Sequence, residues 1–167
     1  LDSSTQPLES NLCQALTGEH NGANDNILTN VAIAGHINLH GDVMIQSADA
    51  AREAGNSPNT VLTAALSLLG PKRVDTARSA VDTLIDLFAP AGLCDACDEQ
   101  FDIRRIEVSA AARARFLSDQ VDPRAEAMLA AIRSRGGRSM FIQFLQSLDG
   151  PISADAVLAA IATTIAW

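Results

Sequence analysis

Three groups of side chains in this 167-residue sequence have types and spacings that chemistry uses. His36 and His40 stand four apart with Asp42 close by. On a strand, residues four apart share a face, so the two imidazoles are placed as a catalytic or metal-binding pair; the plain alternative is two histidines in a surface turn. Cys94-Asp-Ala-Cys97 has the two-residue spacing that supplies half of a zinc site or a redox couple. A structural zinc needs four ligands, and only Cys13 and three histidines remain, so no metal is expected. Asp95, Asp98 and Glu99 disfavour a thiolate nearby, which points to two unpaired cysteines near a helix end. Gly136-Gly137-Arg138, preceded by Arg133 and Arg135, has the composition of an anion site for a phosphate. The same residues read more economically as a helix C-terminus, where glycine stops the helix and cations suit the dipole. The Gly-rich stretches lack the lysine and serine of a phosphate loop.

The elements that must hold these groups are mainly helical. Residues 7–17 predict a first helix with Leu8, Leu12, Ala15 and Leu16 on one side, and the Gly- and Asn-rich residues 18–26 read as a loop. Residues 30–45 carry the only β signal: Val31 and Ile33, Ile37 and Leu39, then Val43 and Ile45 alternate with other residues, and Gly35 and Gly41 mark turns. This predicts a small N-terminal β hairpin or meander. From Ser47 onward helix follows helix. Ser47 is placed to cap residues 48–54, with Gly55 as the stop. Ser57-Pro58 opens a helix to Leu69 that is apolar on nearly every face, the pattern of a helix buried at the centre of a domain.

Gly70-Pro71 starts a helix striped by Val74, Ala77, Val81, Leu84 and Phe88. Residues 93–108 show no period and read as a loop with one extended piece. Asp122-Pro123 starts a helix that buries Ala125, Met128, Leu129 and Ile132, ended by Gly136-Gly137. Phe141, Phe144, Leu145 and Leu148 mark the next. Ser153 caps the last, with Val157, Leu158, Ile161 and Ile165 on one face, and the sequence is still apolar at Trp167. The expected architecture is one mainly α domain over residues 1–167: an N-terminal segment, 1–46, with the β element, and a helical core, 47–167.

Composition bounds the partners. At 47% hydrophobic the chain can build a core, and a domain of this size buries about 70% of the surface its unfolded chain exposes. A net charge of −8 argues against binding a nucleic-acid backbone, which needs clustered cations. The acidic, polar start from Leu1 does not read as a signal peptide, and no run is long enough to span a bilayer, so no membrane contact and a cytoplasmic location are expected. The apolar stripes of the helices from Pro71 and Ser153 exceed what a short chain easily covers, which points to a homo-oligomer or a partner chain.

Residues 61–167 contain segments that resemble the citrate synthase superfamily, including its citryl-CoA lyase members. Leu62-Thr-Ala-Ala-Leu-Ser-Leu-Leu-Gly70-Pro71 looks like the family's buried helix, Gly-rich turn and following helix. Val121-Asp122-Pro123-Arg124-Ala125-Glu126-Ala127-Met128-Leu129 is similar to its D-P-R-A helix start, and Leu148-Asp149-Gly150 to the N-V-D segment whose Asp is the catalytic base. Upstream, Ile37-Asn-Leu-His-Gly41-Asp42 is similar to the short β segment before the family's core helices. The resemblance implies carbon–carbon bond chemistry on a thioester of coenzyme A, with Asp149 as base and Arg73 or Arg124 facing a carboxylate or the CoA phosphate; His36 and His40, by their spacing, are further catalytic candidates, and Arg138, from the Gly136-Gly137 segment, is a further candidate to bind the cofactor. The sequence departs from the family at both catalytic histidines: Lys72-Arg73-Val74-Asp75 stands where H-G-G-A is expected, and Arg115-Phe116-Leu117-Ser118-Asp119 precedes the D-P-R-A start. Two expectations follow. One is a non-catalytic or partner-dependent subunit of a CoA-thioester lyase or synthase; the other is a helical protein–protein interaction module with no catalytic role.

Overall fold

The computed structural model describes residues 7–18, 22–36, 43–68 and 71–167. In chain order the helices are α1 (Leu8–Thr17), α2 (Ala23–His36), α3 (Val43–Glu53), α4 (Pro58–Leu66), α5 (Pro71–Phe88), α6 (Ala110–Arg113), α7 (Pro123–Ser134), α8 (Met140–Ser147) and α9 (Ala154–Ala166), with a 3-10 turn at Ile103–Arg105. Among the described residues there is no strand, only an isolated antiparallel bridge between Leu117 and Ile152. The chain divides into two compact units, residues 36–75 and residues 1–35 with 76–167.

The expected N-terminal β element is corrected. Residues 30–36 complete α2, and 43–45 open α3; the rest of that segment, residues 37–42, lies outside the described residues. The alternation of Val31 and Ile33 was compatible with helix because Ala32 and Ala34 between them are strong helix formers. Leu28 and Val31 are buried and Ala32 packs against the same core, a spacing of three and four that only a helix puts on one face. The expected loop at 18–26 is also shortened: Gly18 closes α1 at φ 78°, and Ala23 already begins α2. Ser47 does not cap a helix, because it lies inside α3.

In the larger unit, α9 is the central helix. Val157 and Ile161 are buried, as are six of its small residues: Ala154, Ala156, Ala159, Ala160, Thr163 and Thr164. Small side chains on several faces let neighbours approach from more than one side, and α1, α7 and α8 all contact it. Phe88 from α5, Phe116, and Phe141 and Phe144 from α8 fill the largest volumes of the core. Of the apolar stripes on α5 and α9, Leu84, Phe88, Val157 and Ile161 are buried inside this unit. Helix α2 runs antiparallel to α7. A Cβ at Gly35 would overlap Met128 Sδ, whereas one at Gly137, beyond the end of α7, would lie 3.2 Å from Ile27.

The smaller unit is built on the α3–α4 hairpin. Met44, Ser47, Ala48 and Ala51 lie at helical spacing on α3, and Val61, Ala64 and Ala65 on α4; these are the half-buried positions of the pair. Ser47 Oγ donates to the Ala64 carbonyl at 3.3 Å, so the helices meet through small side chains. Gly55 makes the turn at φ 79°, and Ser57 caps α4 by accepting from the Thr60 N–H, as the sequence indicates.

Candidate functional site

One member of the cysteine pair, Cys97, and one of the arginines, Arg138, meet beyond the C-terminal end of α7. The N-terminus of α2 brings Asn24 against both. Its Nδ2 donates to the Arg138 carbonyl at 3.1 Å and to Cys97 Sγ at 3.5 Å, and its Oδ1 accepts the Arg138 N–H at 2.7 Å. The Cys97 thiol donates to the Arg138 carbonyl at 3.7 Å, and the Met140 N–H donates to the Ala96 carbonyl at 2.8 Å. Arg138 Nη1 pairs with Glu99 at 3.1 Å. The loop at 94–99 is thus fastened to the start of α8 by side chains far apart in sequence. Asn24 and Glu99 carry no local signal of this role; only a tertiary contact reveals it.

This arrangement weakens each chemical reading. Burial pushes the Cys97 thiol up, Asp95, Asp25 and Glu99 push it further, and Arg138 opposes them. A protonated thiol is a poor nucleophile and metal ligand. Cys94 is exposed, with its thiol turned to the Gly92 carbonyl at 3.6 Å, and all three cysteines are free. Among the described residues no group of three or more His, Cys, Asp or Glu is placed to hold a metal. A thiol reagent at neutral pH is expected to modify Cys94 at least about tenfold faster than Cys97 and to leave buried Cys13 untouched until unfolding. Equal rates at Cys94 and Cys97, read by peptide mass spectrometry, would contradict this placement.

Next to Arg138 lies an open recess of about 130 Å³, floored by Leu129, Ile132 and Ile142 and rimmed by Arg133, Arg138 and Gln143. Several of the donors an anion would use there are engaged within the chain. Ser139 Oγ accepts the Ile142 N–H at 3.2 Å, Ala96 takes the Met140 N–H, and Glu99 holds Arg138. Gly136 at φ 73° provides the left-handed stop that the economical reading of this segment required.

The remaining candidates are dispersed. Arg124 is at the other end of α7, about 20 Å from Arg138 by helical rise, and pairs with Asp122 at 3.3 Å. Asp149 sits in the α8–α9 turn with its side chain fully in solvent, 3.6 Å from Arg113 Nη2. The same guanidinium donates to the Asp149 carbonyl at 2.5 Å. His36 ends α2 and Arg73 lies in the first turn of α5, but their side chains, like all of His40, lie outside the described residues.

Sequence reasoning placed α4 at the centre of the domain, and the structure corrects this. Neither α3 nor α4 buries a residue. Leu62 is 59% exposed, Leu66 50%, Val43 54% and Leu68 41%. Leu62 and Leu66 are one turn apart on the side of α4 away from Val61, Ala64 and Ala65. The antiparallel hairpin brings the start of α3, with Val43, to the end where Leu66 and Leu68 stand. One apolar face of α4 is used against α3; the other is open. Hydropathy reports that a face avoids water, not what covers it.

No family model matches this chain, and no curated protein or solved structure matches it either. Among the described residues no helix is long and apolar enough to cross a membrane.

Proposed function

We propose that this chain is a helical protein-interaction module that docks a protein partner through the open face of α4. The observation that carries this reading is the pair of exposed leucines one turn apart on α4, Leu62 and Leu66, with exposed Leu68 just beyond the helix, on a hairpin with no buried residue of its own. An isolated exposed leucine is ordinary, but several on one face of one element mark a contact surface. The competing expectation, CoA-thioester chemistry, asks for a base held beside donors that stabilise an enolate. Asp149 stands in solvent with one arginine, and Arg124 and Arg138 occupy opposite ends of α7, so the geometry favours the interaction module.

The test is site-specific photo-crosslinking in cells that make the protein. Benzoyl-phenylalanine in place of Leu62 or Leu66 is expected to give a discrete covalent protein adduct. The same group at Gln100, an exposed position in the other unit, is expected to give none. No adduct at 62 or 66, or equal adducts at all three positions, would overturn the reading.

A further inference from the structure

The turn between α8 and α9 carries a chemistry that the docking reading does not use. We propose that Asp149-Gly150 is a self-modification site, at which the chain converts its own aspartate to isoaspartate through a cyclic imide.

An aspartyl residue rearranges when the main-chain nitrogen of the next residue attacks its side-chain carboxyl carbon. The reaction needs an open carboxyl, a following N–H that no hydrogen bond holds, and a following residue without a Cβ to block the approach. Asp149 meets all three conditions. Its side chain is fully in solvent. Gly150 is exposed, and its N–H has no hydrogen-bond partner among the described residues. Gly150 stands at φ 130°, a conformation that favours glycine.

Other positions lack one condition or another. Asp149-Gly150 is the single Asp-Gly pair in the sequence. Asp122 precedes Pro123, which has no N–H, and its carboxylate is engaged at two helix starts. The N–H after Asp155, that of Ala156, is donated to Ser153 Oγ at 3.1 Å. In Asn21-Gly22 the Gly22 N–H is donated to Asp25 Oδ2 at 3.1 Å.

The conversion balances within the chain. The Gly150 nitrogen gives its proton to solvent and bonds to Asp149 Cγ, and the carboxyl hydroxyl leaves as water, closing a five-membered imide. Water then adds at the former Asp149 carbonyl carbon and opens the ring on that side. The main chain now runs through Cγ and is one methylene longer, and the old carbonyl has become a free carboxylate. One water leaves and one returns, so mass is unchanged and no oxidant or second reactant is needed.

The position gives the change a structural consequence. The Arg113 guanidinium donates to the Asp149 carbonyl at 2.5 Å and lies 3.6 Å from the carboxylate. Just beyond, the Pro151 carbonyl accepts the Ser118 N–H and the Ser153 N–H reaches the Phe116 carbonyl, each at 2.9 Å, at the entry to α9. Isoaspartate removes the carbonyl that Arg113 holds and lengthens the chain directly before these bonds.

Ageing the folded full chain for weeks near neutral pH, beside a synthetic peptide of residues 145–152, tests the proposal. Two readouts report on position 149. One is methyl transfer from S-adenosylmethionine by an isoaspartate-specific carboxyl methyltransferase, mapped by peptide. The other is loss of cleavage before residue 149 by an endoproteinase that cuts at aspartate. Isoaspartate is expected at 149 in the folded chain at a rate within about tenfold of the peptide, because an exposed turn opens locally at little cost. Asp149→Glu, which would have to close a six-membered ring, is expected to abolish the signal. Asp149→Asn expels ammonia in place of water and is expected to convert several times faster than the parent. Both changes are at a fully exposed side chain and are expected to keep the helical circular dichroism of the parent. A folded chain that stays unconverted while the peptide converts overturns the proposal, as does a signal that maps to Asn21 alone or persists in Asp149→Glu. An Asp149→Asn chain no faster than the parent overturns the cyclic route.

Discussion

Replacing Phe88 with alanine is expected to destabilise the larger unit by about 3–5 kcal/mol. Phe88 ends α5 with no exposed surface. Its ring stands edge-on to Phe141 at 4.8 Å and to Phe144 at 5.3 Å, and lies 5.8 Å from Phe101. Phe144 continues the contact to Phe116 at 5.8 Å, and Phe141 to Trp167 at 5.1 Å. One side chain therefore joins α5 to α8 and to the loop after α5. Truncation removes its apolar area and leaves a void that rigid neighbours cannot close. Domains of this kind are stable by about 5–15 kcal/mol, so the loss is a large share of the total. Phe88→Leu keeps most of the apolar volume and forfeits mainly the ring-edge contacts, a cost nearer about 1 kcal/mol. Trp167, the single tryptophan, meets Phe141 edge-on and donates through Nε1 to the Leu93 carbonyl at 3.2 Å, so its fluorescence follows this unit during urea unfolding. A midpoint for Phe88→Ala within about 1 kcal/mol of the parent would show that the ring cluster is not where the stability lies.

Helix starts were the most legible part of the sequence. Ser57-Pro58, Asp122-Pro123 and Ser153 all cap as their chemistry indicates, because an N-cap bond closes within three residues and needs no tertiary partner. The buried stripe of α7 was legible for a similar reason: Ala125, Met128 and Ile132 repeat at the helical period and are covered by the chain. The failures share a cause. In α2, residues with alternating bulk satisfied a period of two and a period of 3.6 at once, and alanine separated neither. In α4, an apolar composition does not mean burial: the small residues that pack on α3 and the leucines left outside look alike to a hydropathy scale.

The candidate site was legible only in pieces. Cys97 and Arg138 do meet, but as a fastening in which Asn24, 114 residues from Arg138, takes part in three hydrogen bonds. Nothing local to Asn24 distinguishes it from the other asparagines of its segment. Asp149 was selected by resemblance to a motif. A motif specifies residue order, whereas catalysis needs a shielded position, which the turn between α8 and α9 does not give this carboxylate.

Asp122 supplies the second large effect, and it is tied to pH. One carboxylate serves the starts of two helices: Oδ1 accepts the Arg124 N–H of α7 at 2.9 Å, and Oδ2 accepts the Ala154 N–H of α9 at 3.0 Å. The Ser118 N–H to Pro151 carbonyl and Ser153 N–H to Phe116 carbonyl bonds, each 2.9 Å, hold the two segments side by side. Burial pushes the Asp122 carboxyl up, but the backbone donors of Ala154 and Arg124, with the Arg124 side chain, outweigh it and hold the group below its ordinary value of 3.8. The side chain is 18% exposed, so water replaces these bonds poorly. Asp122→Asn keeps the shape but offers a single acceptor oxygen, and its amide nitrogen meets one of the two N–H groups donor to donor. The expected cost at pH 7 is about 1–3 kcal/mol. A folded pKa below the unfolded one means the stabilisation is complete above the unfolded value and disappears as pH falls through the folded value. The gap between parent and Asp122→Asn in urea midpoint is therefore expected to be constant from pH 7 to about 5 and to shrink below about 4 as the parent carboxyl is protonated. A gap that stays the same down to the acid limit of folding would assign the effect to shape alone, and a gap absent at pH 7 would show that Asp122 does not tie the two helices together.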